Sequence, residues 1–250
     1  MIKKTQVNAA IVIIGNEILS GRTKDTNTST LALWLNSLGV ILREVRAIPD
    51  KEEIIVKTIN ELRKKNNYLF TTGGIGPTHD DITAKSISKA FNVKYEVNKE
   101  AYKILQKYYK PNEFNDGRQK MAWTPSKARL ILNPTSGAPG FIIKNVYCLP
   151  GVPTILKSML GGLKCEISGG KPLISHTINL KTVESEIAKP LTLVQDQNKD
   201  VEIGSYPFFK AGKLGVAIVI RSEEKNKIKL CNSQILKFVK EKKIKIVNRK

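Results

Sequence analysis

The stretch Thr71-Thr-Gly-Gly-Ile-Gly-Pro-Thr-His-Asp-Asp-Ile-Thr83 carries the clearest chemistry in this chain. It lies between a hydrophobic run, Tyr68–Thr72, and an amphipathic one that begins near Asp81. Gly73, Gly74 and Gly76 permit positive φ and close backbone approach. Successive free N–H groups in such a turn form an anion-binding concavity, and the following helix adds its positive N-terminal end. Phosphate is the ligand group to expect. Asp80 and Asp81 read in two ways. Helix capping explains one aspartate. Two beside a phosphate repel it unless a cation lies between, and carboxylates with phosphate oxygens are a natural Mg²⁺ shell. A phosphate loop with metal and an ordinary capped turn both remain open. The string matches neither GxxxxGK[ST] nor GxGxxG.

A second polar cluster, Gly15-Asn-Glu-Ile-Leu-Ser-Gly21 with Asp25-Thr-Asn27, follows the first hydrophobic run. In a doubly wound sheet, ligands bind beyond the carboxyl ends of the strands. Glu17, Asp25, Asp50, Asp80 and Asp81 all follow expected strands or open expected helices. They are therefore expected to converge on one rim, although each alone is explained as a cap or a solvated charge. His79 has the chemistry of a general base or a phosphate donor, and equally that of a polar loop residue. His176 falls in an expected strand, and Cys148 in an apolar one reads as packing. Ser20 and Ser136 have no sequence-evident base, which argues against a serine hydrolase.

These residues need strands and helices to hold them. Ala9–Gly15 is a β-branched run that ends in glycine, the pattern of a buried parallel strand. Asp25–Leu38 reads as a helix with Leu31, Trp34, Leu35 and Leu38 on one stripe. Strands are expected at Val40–Ile48 and Tyr68–Thr72, and helices at about Lys51–Lys65 and Asp81–Phe91. Further helices are expected at Lys99–Tyr109, Phe114–Met121 and Pro153–Leu160. Arg129–Leu132 and Phe141–Leu149 read as strands flanking a Pro- and Gly-rich turn. The alternation gives an α/β fold with a parallel sheet. Gly161-Gly162 and Ser168–Pro172 read as a flexible joint, dividing the chain into domains 1–165 and 172–250. The second part reads as strand Ile174–Thr182, helix Glu184–Gln195, strands Val201–Phe209 and Leu214–Arg221, and helix Lys227–Lys243. That is a small α+β domain.

The chain has 250 residues and a net charge of +20. Length and a 41% hydrophobic content suffice for a proper core. No apolar run approaches a membrane span. Asn16 and Glu17 close the first apolar run too soon for Lys3 and Lys4 to head a signal peptide. Cys148, Cys165 and Cys231 form neither a disulfide framework nor a zinc motif, and a reducing cytoplasm fits. Thirteen basic and three acidic residues follow from Lys210 onward, a region able to attract a polyanion without specificity. Lysine dominates arginine, and no aromatic stripe accompanies the basic one, so specific nucleic-acid binding is not expected.

Together these motifs resemble the molybdopterin-binding (MoaB/Mog-like) domain. The resemblance is to the branch found in the competence-damage-inducible protein CinA and at the N-terminus of eukaryotic FAD synthases. It rests on Gly15–Gly21, Asp25-Thr-Asn27, Pro49-Asp50, Gly73–Thr83, Asn133-Pro, Gly137-Ala-Pro-Gly140 and Leu149-Pro-Gly-Val-Pro153, spanning about residues 8–163. Glu202–Pro207 and Ile218–Arg221 are similar to the small accessory domain of the same branch. The resemblance implies a three-layer α/β/α fold with a mostly parallel sheet, followed by a small α+β domain. It also implies a homo-oligomer, dimer or trimer, and a pterin or nucleotide phosphate at the glycine loop.

By the same resemblance Thr72, Gly73, Gly74, Ile75, Gly76 and Thr83 belong to the ligand loop. Asn27 belongs to the polar helix start, and Ser136, Gly137 and Pro139 to a second ligand turn. Glu17, Asp25 and Asp81 are the expected metal ligands, and Asp81, Asp50 and His79 the expected catalytic groups. Asn16 stands where the branch has Asp in a GDE motif, and Thr154 and Ile155 stand where CinA-type proteins place an acid. The chain ends at 250, so neither the amidohydrolase of CinA nor the adenylyltransferase of FAD synthase is expected. The activity implied is divalent-metal-dependent cleavage of ADP-ribose or FAD-type diphosphates, with Mg²⁺ or another divalent cation. The alternative is molybdopterin binding or transfer.

Overall fold

The computed structural model describes residues 6–210 and 212–247. The reading of Lys3 and Lys4 lies outside them. The chain forms two compact units that divide between Gly170 and Lys171.

The first unit begins with β1 (Asn8–Ile14), α1 (Asn16–Leu19), α2 (Asn27–Ser37), β2 (Ile41–Ile48), α3 (Glu52–Lys65), β3 (Tyr68–Thr72) and α4 (Thr83–Ala90). It continues with β4 (Tyr95–Val97), α5 (Lys99–Tyr108), α6 (Asp116–Lys120), β5 (Trp123–Pro125), β6 (Arg129–Ile131), β7 (Gly140–Ile143), β8 (Val146–Leu149) and α7 (Pro153–Leu163). The main sheet has the order β2-β1-β3-β8-β7-β6. β2, β1, β3 and β8 are paired in parallel, while β7 and β6 are added antiparallel.

β1 is buried along its whole length. Its side chains alternate between two cores, as pleating requires. Ala9, Ile11 and Ile13 meet Leu31 and Leu35 of α2 and Leu156 and Met159 of α7. Ala10, Val12 and Ile14 meet Ile55, Ile59 and Leu62 of α3 and Ile87 of α4. The result is the expected α/β/α sandwich.

Two local expectations are corrected, and one small sheet is added. Phe141–Leu149 is not one strand but β7 and β8, joined by Lys144-Asn145 with Lys144 at φ 51°. That turn lacks the glycine that marks most two-residue hairpins. Asn145 holds it by donating to the carbonyls of Arg63 and Asn66. Gly161-Gly162 is no joint, because α7 continues to Leu163. Leu156, Met159, Leu160 and Leu163 form a buried stripe, and tertiary packing overrides glycine's poor helix propensity. The antiparallel pair β4 and β5, three residues each, leaves no readable period.

β2 is tied to α3 by Arg46, whose terminal nitrogens donate to both Glu61 oxygens at 2.8 and 2.9 Å. Arg46 first, then Lys65, holds the Glu61 carboxyl down at about 2, against 4.5 for a free one. A carboxyl depressed in the folded state stabilises it above its unfolded value and loses that contribution as pH falls toward the folded one. Stability should therefore decline between pH 4.5 and 2, and Glu61→Gln should flatten part of the decline in a thermal-melt series. The pair is partly exposed, so the effect is small.

The second unit is β9 (Ile174–Lys181), α8 (Glu184–Gln197), β10 (Glu202–Lys210), β11 (Lys213–Ser222), α9 (Lys225–Glu241) and β12 (Lys245–Ile246). Its antiparallel sheet has the order β10-β11-β9-β12. Ile178, Leu180, Ile218 and Ile220 form its core with Ile187 and Leu191 of α8 and Cys231 and Ile235 of α9. Pro190 sits inside α8 and cannot donate to the Glu186 carbonyl. The Lys242 ammonium donates to that carbonyl instead, at 3.0 Å. Among the described residues no helix is long and apolar enough to cross a membrane.

Candidate functional site

β1, β2, β3 and β8 run in the same direction, so their carboxyl ends share one edge of the sheet. β2 lies on one side of β1 and β3 on the other. Such a switch point opens a crevice beyond the strand ends. A cavity of about 530 Å³ is lined by Glu17, Thr23, the run Gly73–Pro77, Asp81, Met121, Asn133, Ser136, Ala138, Pro139, the run Pro150–Pro153, and Ile155.

The glycine loop is positioned by main-chain contacts. Gly73 has φ 97°, and its N–H donates to the Leu149 carbonyl at 3.1 Å. A Cβ on Gly73 would collide with the Ile14 carbonyl oxygen. Gly74 has φ 67°, and a Cβ there would run into the Thr83 hydroxyl. Thr83 opens α4 and is wholly buried. Its N–H donates to the Gly74 carbonyl at 2.9 Å and its hydroxyl to the Gly73 carbonyl at 3.0 Å. Thr83 is therefore a clamp on the loop and does not line the cavity. Once these bonds are made, the N–H groups of Gly74, Ile75 and Gly76 have no partner among the described residues. Three consecutive unpartnered amides beside a cavity are what an anion needs.

The second turn is organised by Asn133, which is buried. Its Nδ2 donates to the Ala138 carbonyl and Ser136 Oγ, and its Oδ1 accepts from the amides of Thr135 and Ser136. Ser136 and Pro139 face the cavity. Gly137 is buried at φ 73° against the Tyr108 ring, so its role is to admit that ring. Asn133, Met121 and the Pro150–Pro153 turn join the cavity beyond the residues expected from sequence. The Asn-Pro and Pro-Gly-Val-Pro strings are the signals that mark two of them as turns.

The five acids do not form one cluster. Among the described residues no group of three or more His, Cys, Asp or Glu is arranged to hold a metal. Asp25 Oδ1 accepts from the amides of Asn27 and Thr28 and so caps α2. Asp50 Oδ2 accepts from the Asn16 amide. Asp80 and Asp81 flank the Thr78 hydroxyl, and Asp81 Oδ2 also accepts the Thr78 N–H at 2.8 Å. The hydrogen bond from Thr78 holds the Asp80 carboxyl below its usual range. His79 is exposed beside them and does not line the cavity. Asn27 Nδ2 donates to the Gly151 carbonyl at 2.7 Å, tying α2 to the β8 turn. Thr72 is buried in β3. Cys148 is enclosed, and burial pushes its thiol up to about 12, which fits packing rather than reactivity.

Two acids remain at the cavity: Asp81, and Glu17, whose carboxylate has no partner among the described residues. They are the ionisable side chains among the described lining residues, and no lysine or arginine lines the cavity with them. A phosphate brought there meets amides and two negative groups. The donor set suits a cation that shares its shell between one or two carboxylates and phosphate oxygens, and not a closed protein cage.

Comparison with known proteins agrees with this geometry. Residues 10–194 match a family described as a probable molybdopterin binding domain, and residues 172–248 match the FAD synthase middle domain. A protein of Archaeoglobus fulgidus is 35% identical over 217 residues, covering 87% of this chain and 92% of that one. A protein of Pyrococcus abyssi is 30% identical over 232 residues, with the same coverage. The crystal structure of the protein CinA, of unknown function, from Thermoplasma acidophilum superposes with a TM-score of 0.61 and 29% identity. It covers 64% of this chain and 98% of that structure. The loop, the switch-point cavity and these matches converge: the chain belongs to the MoaB/Mog-like molybdopterin-binding-domain family, in its CinA-like form.

Proposed function

We propose that the chain is a divalent-metal-dependent nucleotide pyrophosphatase that cleaves a diphosphate such as that of ADP-ribose or FAD. The observation that carries this reading is the row of unpartnered amides at Gly74, Ile75 and Gly76 on the cavity wall. They hold the non-reacting phosphate. Glu17, free of partners, is the group able to take a proton from an attacking water. Asp81 is fixed by Thr78 and faces the same space. Asp81 is the side chain that would hold a divalent cation at the substrate phosphate, and the chemistry such a cation would supply is positive charge on the phosphate oxygens. Water adds to one phosphorus, the bridging oxygen leaves with the other, and AMP is one product.

The assay is AMP release from ADP-ribose or FAD with Mg²⁺, Mn²⁺ or Co²⁺. Glu17→Gln should lower turnover on the order of 100-fold and leave ligand affinity within a few-fold, as loss of a general base does. Release equal to that of an Asp81→Ala control would remove the enzymatic reading.

The family match supports a second reading, in which the same loop binds the phosphate of molybdopterin without turnover. It calls for saturable pterin-phosphate binding in the absence of AMP release. No such binding at tens of micromolar, roughly the range of a weak specific ligand, would exclude it.

A further inference from the structure

We propose that Lys120 recognises the second phosphate of a diphosphate, so that the glycine-loop site prefers a diphosphate to a monophosphate. The proposal rests on the function proposed above. The free amides of Gly74, Ile75 and Gly76 are enough for one phosphate. A second phosphate beside it meets the carboxylates of Glu17 and Asp81 and needs positive charge. No lysine or arginine lines the large cavity. Lys120 stands next to it. A narrow recess of about 10 Å³ is lined by Lys120 together with Ile75, Gly76, Asp81 and Met121, and those four also line the cavity. Lys120 is the cationic residue that lines either space among the described residues. The recess has room for about one water-sized atom, which excludes a ring. It admits an oxygen of a group seated in the larger cavity.

Local structure places the side chain. Asn115 caps α6 by accepting the Arg118 amide N–H. Gly117 lets α6 lie close to the loop, since a Cβ there would come within 3.2 Å of the Pro77 carbonyl oxygen. Lys120, the last residue of α6, donates to the Thr78 carbonyl. Two contacts thus hold α6 against the chain between Gly76 and Asp81. The Lys120 bond lies at the protein surface, where the ammonium meets solvent. An ammonium has three N–H donors, and no second acceptor engages this one among the described residues. The remaining donors are free to meet phosphate oxygens, which lysine binds as a compact point charge. The neighbouring Arg118 is already engaged. Its guanidinium lies 4.1 Å from the Tyr109 ring centroid and also pairs with Glu113.

The probes are AMP and α,β-methylene-ADP, whose carbon bridge cannot be hydrolysed. Both are titrated calorimetrically against the full chain in Mg²⁺. The parent should bind the diphosphate analogue at least about tenfold more tightly, the low end for a hydrogen bond to a charged group. Lys120→Met should lose that factor for the analogue and leave AMP unchanged. Lys120→Arg, which keeps the charge, should keep most of the preference. Lys103→Met removes an exposed lysine from α5 and should match the parent, which separates a local contact from bulk charge. Circular dichroism checks that each variant folds, and Lys120→Gln repeats the test should the methionine variant not fold. Equal weakening of both probes would make Lys120 only a tether of the loop and overturn the proposal. A preference that survives in Lys120→Met, or equal affinity of the parent for the two probes, also overturns it. A parent that binds neither probe removes the reading of the loop itself, and this proposal with it.

Discussion

Gly74→Ala should weaken binding of a nucleotide diphosphate by roughly 1000-fold, the combined worth of two or three charge-assisted hydrogen bonds. Gly74 lies at φ 67°, where an added Cβ is strained in any case. That Cβ also meets the Thr83 hydroxyl, which holds the Gly73 carbonyl. The loop must move, and the amides of residues 74–76 move with it. Isothermal titration with ADP-ribose and Mg²⁺ measures the loss. The variant should stay folded, because the strained residue sits at the sheet edge and not in either core of the first unit. Affinity within tenfold of the parent, in a folded variant, would show that the loop amides do not hold the ligand.

Phe70→Ala should destabilise the first unit by about 3–5 kcal/mol, the usual cost of emptying a large aromatic site. Phe70 is wholly buried on the central strand β3. It stacks on Tyr147 of β8 with centroids 5.0 Å apart and meets the Trp34 ring edge-on at 6.0 Å. The cavity left would open between two strands that aim at the site, so binding should weaken as well. Both tryptophans, Trp34 and Trp123, lie in the first unit, so their fluorescence follows its denaturant unfolding without interference from the second. A shift worth less than about 1 kcal/mol, the scale of a surface change, would contradict this account of the core.

Most of the architecture was legible because its signals are periodic. The unbroken apolar run at β1 and the helical stripe of α2 each fix an element and a face. The glycine loop was legible for a different reason: three glycines between a strand and a helix have few structural uses. The acids were not legible. Asp25 and Asp50 follow strands as a metal ligand would, yet each is taken up by a nearby amide that sequence spacing does not reveal. Capping and coordination use the same atoms, and only the position of neighbouring N–H groups separates them. The cavity wall was partly hidden too. Met121 and Asn133 reach it from segments distant along the chain, brought there by α6 and by the turn after β6. The Lys144-Asn145 hairpin and the continuous α7 show local propensity losing to packing.

The glycine loop at the cavity is main chain, tied to the Leu149 carbonyl and packed close against the Ile14 carbonyl, whereas Met121, Val152 and Ile155 line the rest of the cavity. Grip and selectivity therefore reside in different atoms. On the function proposed above, substitutions along those outer walls would retune which molecule is accepted while the main-chain handhold stays constant.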